Sequence, residues 1–87
     1  MKPVTMFFLP TCPHCVNAFS MIEELKAKYP ELASINITTV NEKEETALAE
    51  SYDYYYVPTY YVDDDKLHEG VPTLEKLEAV LRAALPS

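Results

Sequence analysis

Between Val4 and Tyr29 the spacing of the apolar residues changes once, and both cysteines of the chain lie at that junction. Val4 to Leu9 is a short apolar run of strand length, closed by Pro10 and Thr11. From Cys15 onward, Ala18, Phe19, Ile22, Leu25 and Tyr29 recur at helical spacing up to Pro30, with Glu23, Glu24, Lys26 and Lys28 on the other side. A strand that gives way within a few residues to an amphipathic helix of about four turns predicts an α/β unit.

The pattern continues beyond Pro30. Ser34 to Val40 alternates, with Ile35 and Ile37 on one side and Asn36 and Thr38 on the other, and its β-branched content predicts a second strand. Asn41 followed by Glu44 has the form of a capping box, and Ala47, Leu48 and Ala49 favour a short helix through Ser51. Thr59 to Val62 reads as a third strand, Asp63 to Asp65 as a polar turn, and Lys66 to Glu69 as a fourth strand returning in an antiparallel hairpin. Thr73 is placed to cap a last helix with an apolar stripe of Leu74, Leu77, Val80, Leu81 and Leu85. The expected order is β-α-β-α-β-β-α. At 87 residues the chain is expected to form a single domain over 1–87.

Composition narrows the partners. A hydrophobic fraction of 48% with 24% charged residues belongs to a globular chain rather than a disordered one. A net charge of −7 repels phosphate backbones and anionic head groups, which argues against nucleic acid and membrane surfaces. No Asp, Glu, Lys or Arg lies between Pro3 and Ile22, so the acidity is kept out of the reactive segment. Pro10, Pro13, His14, Asn17 and Ser20 interrupt that stretch too often for a membrane span, and the Met6 to Leu9 run is too short for a signal peptide. The reading is a cytoplasmic monomer.

The cysteines carry the chemistry. Pro13 suits the first position of a helix, which makes Cys12 the N-cap. There its sulfur lies near the unpaired N–H groups of His14 and Cys15 and the positive end of the helix dipole, so a Cys12 thiolate is favoured. Cys15, at the third helical position, is within reach of Cys12, and the two form a dithiol–disulfide couple in which one sulfur attacks and the other resolves. His14 is the only ionisable side chain between them, and its imidazolium would stabilise the reduced thiolate and make the couple more oxidising. Pro13 and His14 are thus the residues expected to tune it.

The strand, Cys-x-x-Cys, helix, strand order of residues 4–40 resembles the thioredoxin superfamily, and Tyr56-Val57-Pro58-Thr59 is similar to its cis-proline segment. The resemblance covers essentially the whole chain. It implies a thioredoxin fold, a four-stranded mixed sheet flanked by three helices, and a thiol–disulfide oxidoreductase acting on protein disulfides. It also implies Cys12 as nucleophile, Cys15 as resolving cysteine and Pro58 as the cis-proline. Thr11, Val57 and Tyr56 would then contact substrate, together with Tyr60 on the far side of Pro58. No metal or organic cofactor is implied; a reductase or glutathione regenerates the dithiol.

Departures from the subfamilies are visible. Thr11 rather than tryptophan precedes Cys12, and Met6 stands where thioredoxins carry a buried acid. Leu9 and the Asp63 to Asp65 run replace the basic residue and the Gly-Gly pair of glutaredoxins. Cys-Pro-His-Cys is similar to the tetrapeptide of DsbA-like oxidants, which carry an inserted helical domain too large for this chain. A glutathione-dependent glutaredoxin and a non-enzymatic redox-sensing adaptor are the alternatives, and the direction of the couple stays open.

Other features have plainer readings. One Cys-x-x-Cys with His14 and His68 does not complete a closed zinc site, and His68 is expected to be an exposed hairpin residue. Six of the seven tyrosines fall between Tyr52 and Tyr61 and are read as covering core and sheet edge, with Tyr56 and Tyr60 the candidates for active-site contact. Glu42, Glu44, Glu45 and Glu50 read as a solvated helix face.

Overall fold

A computed structural model describes residues 1–86 and contains the predicted elements in the predicted order. They are β1 (Val4–Phe8), α1 (Pro13–Lys28), β2 (Ile37–Asn41), α2 (Thr46–Glu50), β3 (Thr59–Val62), β4 (Asp65–Glu69) and α3 (Leu74–Ala84), with a short 3₁₀ turn at Pro30–Leu32. The strands form one sheet in the order β2-β1-β3-β4. β1 runs parallel to β2 and antiparallel to β3, and β3 pairs antiparallel with β4. The parallel pair needs a long crossover, which α1 supplies.

Side chains alternate across the sheet, so its two faces feed two cores. Val4, Met6, Tyr60 and Val62 face α1 and α3 and pack with Ala18, Ile22, Leu77 and Leu81. Phe7, Val40 and Tyr61 face the other way, with Ala49 of α2, and Tyr52, Tyr54 and Val57 pack against them. Phe7 stacks on Tyr54 with ring centroids 4.8 Å apart, and Tyr52 meets Tyr61 edge-on at 4.9 Å. Of the tyrosine cluster, Tyr52, Tyr54 and Tyr61 thus build the second core, Tyr60 belongs to the first, and Tyr55 and Tyr56 are exposed.

Several expectations are corrected. His68 is buried rather than exposed, because its position on β4 faces the α3 side opposite Tyr60. Its Nε2–H donates to the Gly70 carbonyl at 2.9 Å, and burial lowers its pKa, so the ring is held neutral. The second strand begins at Ile37 rather than Ser34, since the 3₁₀ turn runs to Leu32 and Ile35 N–H still bonds back to Leu32.

Asn41 and Glu44 do not cap α2. The helix starts at Thr46 with Glu45 as N-cap and no side-chain cap, while Asn41 Oδ1 instead accepts from the Lys43 amide at 3.0 Å. Asn41 thus closes an Asx turn at the end of β2, and its distance from Thr46 rules out the box. β4 starts one residue earlier than expected, at Asp65, because Asp63 takes a positive φ of 53° that lets the hairpin turn tightly. Thr73 caps α3 as predicted, its Oγ1 accepting from the Lys76 amide at 3.1 Å.

Candidate active site

β1 ends at Phe8, and Leu9 to Thr11 turn the chain into α1, closed by Cys12 N–H donating to the Leu9 carbonyl at 3.1 Å. Cys12 is the N-cap of α1, with extended φ and ψ, and Pro13 occupies the first helical position. The amides of Cys15 and Val16 both bond to the Cys12 carbonyl, so the first turn is formed right up to the cysteine. Both cysteines are reduced. Cys12 is partly exposed and Cys15 is buried on the inner side of α1.

Their environments push the two thiols apart. Cys12 is held below the ordinary thiol value chiefly by the Cys15 amide; burial opposes this, and the Cys15 thiol and the His14 amide lower it further against a weaker opposing charge at Glu42. No side-chain cap bond is closed at Cys12, so these amides act on its sulfur as oriented dipoles. Cys15 moves the other way: burial and the Cys12 sulfur push it up to about 11. Of the two sulfurs, Cys12 is the one that ionises more readily and Cys15 the one that keeps its proton. His14 contributes through its backbone, and its side chain is exposed.

The loop from Asp53 to Pro58 lies at the start of β3. The Val57–Pro58 bond is cis; Pro58 is buried and Val57 partly so. Thr59 Oγ1 donates to the Tyr56 carbonyl at 2.5 Å, and Gly70 N–H donates to the Pro58 carbonyl at 3.0 Å. Glu69 is an organiser of this loop that its sequence position does not announce. Its Oε2 accepts from the amides of Tyr55 and Tyr56, the latter at 2.9 Å, and its Oε1 pairs with Lys66 at 2.8 Å. Lys66 and then the two amides lower its pKa to about 2.

Of the residues expected to contact substrate, Thr11 and Tyr56 are exposed and Val57 partly exposed. Tyr60 is not available. It is fully buried, because it lies opposite Met6 on the face that α1 and α3 cover, while residue 59 points to the other face.

No acidic residue lies between Pro3 and Ile22 in the sequence, but the fold joins one to that segment from outside it. Glu42 follows β2 directly, its amide donates to the Phe8 carbonyl at 3.1 Å, and its charge opposes a thiolate at both Cys12 and Cys15. It belongs to the turn before α2, not to a solvated helix face, and is partly buried. Among the described residues there is no group of three His, Cys, Asp or Glu side chains placed to hold a metal ion, and no helix is long and apolar enough to cross a membrane.

Comparison with known proteins agrees with this geometry. The chain is 29% identical over 82 residues to a thioredoxin of Methanocaldococcus jannaschii, covering 94% of each protein. Its fold matches the desulfothioredoxin of Desulfovibrio vulgaris Hildenborough in its reduced form, with a TM-score of 0.67 at 21% identity over 94% of this chain and 80% of that one. It also matches the germline-specific thioredoxin Deadhead of Drosophila melanogaster, with a TM-score of 0.68 at 18% identity over 94% of this chain and 79% of that one. The sequence model of the thioredoxin domain matches residues 3–82, and the chain belongs to that family.

Proposed function

We propose that the protein is a dithiol–disulfide oxidoreductase acting on protein disulfides. The observation that carries the reading is the split between a partly exposed Cys12, held toward its thiolate by the first turn of α1, and a buried Cys15 kept protonated behind it. An attacking sulfur has to be ionised and accessible, whereas a resolving sulfur has to be close and shielded from bulk substrate.

In the reducing direction Cys12 Sγ attacks one sulfur of a substrate disulfide; a Cys12–substrate bond forms, the substrate S–S bond breaks, and the departing sulfur takes a proton. Cys15 then loses its proton and attacks Cys12 Sγ, the mixed disulfide breaks, and the second substrate sulfur leaves reduced. Two electrons and two protons pass to the substrate, and Cys12–Cys15 becomes a disulfide. The oxidising direction reverses these steps. Pro13 and His14 tune the couple in this reading, and Thr11, Tyr56, Val57 and Pro58 border the approach to Cys12. No metal or organic cofactor takes part, a reductase or glutathione regenerates the dithiol, and the protein works as a cytoplasmic monomer.

Insulin reduction with dithiothreitol tests the proposal. The wild type is expected to accelerate insulin precipitation and Cys12→Ser and Cys15→Ser to lose the effect, with Cys15→Ser alone accumulating a mixed disulfide. A wild type no faster than either variant overturns the reading. Faster turnover on a glutathione mixed disulfide than on insulin would move the assignment to the glutaredoxin alternative.

A further inference from the structure

The sequence reading leaves the direction of the couple open, with His14 as the only side chain expected to bias it. The fold brings in a second group from a distant part of the chain. Glu42 stands one residue past the Phe8–Asn41 pair that joins β1 to β2, and β1 leads through Leu9 to the cysteine turn. Its Oε1 accepts from the Tyr54 hydroxyl at 2.9 Å.

Tyr54 is fixed in turn by stacking on the buried Phe7 ring. Burial, and then the Glu42 charge, raise its pKa, so the hydroxyl stays protonated and donates. Glu42, Glu50, Tyr52, Tyr54 and Tyr55 line one cleft of about 390 Å³. The Glu42 carboxylate therefore shares this cleft with Tyr54 and Tyr55 from the loop before β3 and Glu50 from α2, and its backbone joins Phe8, from which the chain turns into the Cys12 N-cap and Cys15; its charge acts on both sulfurs. Lys43 and Glu44 adjoin it along the chain and are exposed.

We infer that the Tyr54-anchored carboxylate of Glu42 sets the poise of the Cys12–Cys15 couple, opposing negative charge on the reduced pair and so biasing it toward the disulfide, as in an electron donor. This rests on the exchange reaction proposed above. The reduced pair carries one negative charge when Cys12 is ionised, and the disulfide carries none. A fixed carboxylate nearby therefore raises the free energy of the reduced form alone. Its influence opposes that of the first turn of α1.

The test is the equilibrium of the wild type and of Glu42→Gln, Tyr54→Phe and Glu50→Gln with reduced and oxidised glutathione between pH 5 and 8.5. It is read as the fraction of dithiol, together with the pH profile of Cys12 alkylation. At pH 8, Glu42→Gln is expected to shift the equilibrium about threefold toward the dithiol, the scale of a partly screened charge. At about 30 mV per tenfold change, that is a potential about 14 mV less negative. The shift shrinks as pH falls toward 5 and the Cys12 sulfur takes up its proton, since the reduced pair then carries less charge for Glu42 to oppose, and the alkylation midpoint of Cys12 falls in the variant.

Tyr54→Phe releases the carboxylate toward solvent and moves both readouts the same way by less. Glu50→Gln matches the wild type. A Glu42→Gln shift that is absent, reversed or equal at pH 5 and pH 8 overturns the inference, as does an equal effect of Glu50→Gln. If the wild type itself fails to exchange with glutathione and with insulin, it is the exchange reaction that fails.

Discussion

Replacing Tyr60 by Phe should make the protein more stable. Tyr60 is fully buried between Met6 and His68, and its hydroxyl is the one buried side-chain polar atom among the described residues without a hydrogen-bond partner. A buried hydroxyl with no partner costs about 1–3 kcal/mol, because the water it bonded in the unfolded chain is not replaced. Phenylalanine keeps the ring and its packing and removes only that oxygen, so about 1–2 kcal/mol should be recovered after some loss of contact around the vacated space. For a domain of this size each kcal/mol moves the melting midpoint by about 4–8 °C.

A pH signature separates this cause from a general packing gain. Burial raises the Tyr60 pKa, with a further contribution from Cys15, so the folded chain keeps the phenolic proton that the unfolded chain loses near pH 10. Above pH 10 the unfolded state binds fewer protons than the folded one, wild-type stability falls as pH rises, and the advantage of Tyr60→Phe widens. Urea titrations at pH 7 and pH 10.5, with thermal melts alongside, measure both. A variant equal to or less stable than wild type at pH 7, or an advantage that does not grow with pH, refutes the argument.

Three further outcomes follow from particular contacts. With iodoacetamide, Cys12 should react with a midpoint below the ordinary thiol value, while Cys15, raised to about 11, stays unmodified through neutral pH in the folded protein; comparable labelling of both sulfurs at pH 7 would contradict the split. Glu69→Gln should increase hydrogen exchange at the amides of Tyr55 and Tyr56. Because its folded pKa is depressed to about 2, the stability Glu69 lends is present above about pH 4.5 and is lost as pH falls toward 2, so the variant and the wild type should converge in acid. Thr73→Ala should cost about 1 kcal/mol in urea denaturation through loss of the α3 cap, and Thr73→Ser should restore most of it.

What the sequence disclosed and what it hid divide along the range of the interactions involved. The α1 terminus was legible because Pro13, Cys12 and Cys15 are neighbours, and the rules for a helix start concern only the first turn. The Thr73 cap was legible for the same reason. Asn41 and Glu44 satisfied the spacing of a capping box, yet Asn41 was spent on the turn that ends β2; local spacing cannot say which of two local structures wins. His68 and Tyr60 were misplaced because their faces are set by strand register: Tyr60 is tied to Met6 and His68 to Tyr60. The irregular pairing between Tyr60 and Tyr61 leaves Leu67 without a partner, so a simple count along β4 would not recover its faces. Glu42 was the least legible, since thirty residues separate it from Cys12 and its neighbours in sequence look like a charged helix start. The parallel pairing of β1 with β2 brings their carboxyl ends together, and the Glu42 amide then bonds to Phe8, at the segment from which the sequence keeps charge away. A parallel sheet thus places residues at equivalent ends of two strands in one electrostatic site, and that is where a search for groups that tune Cys12 has to look.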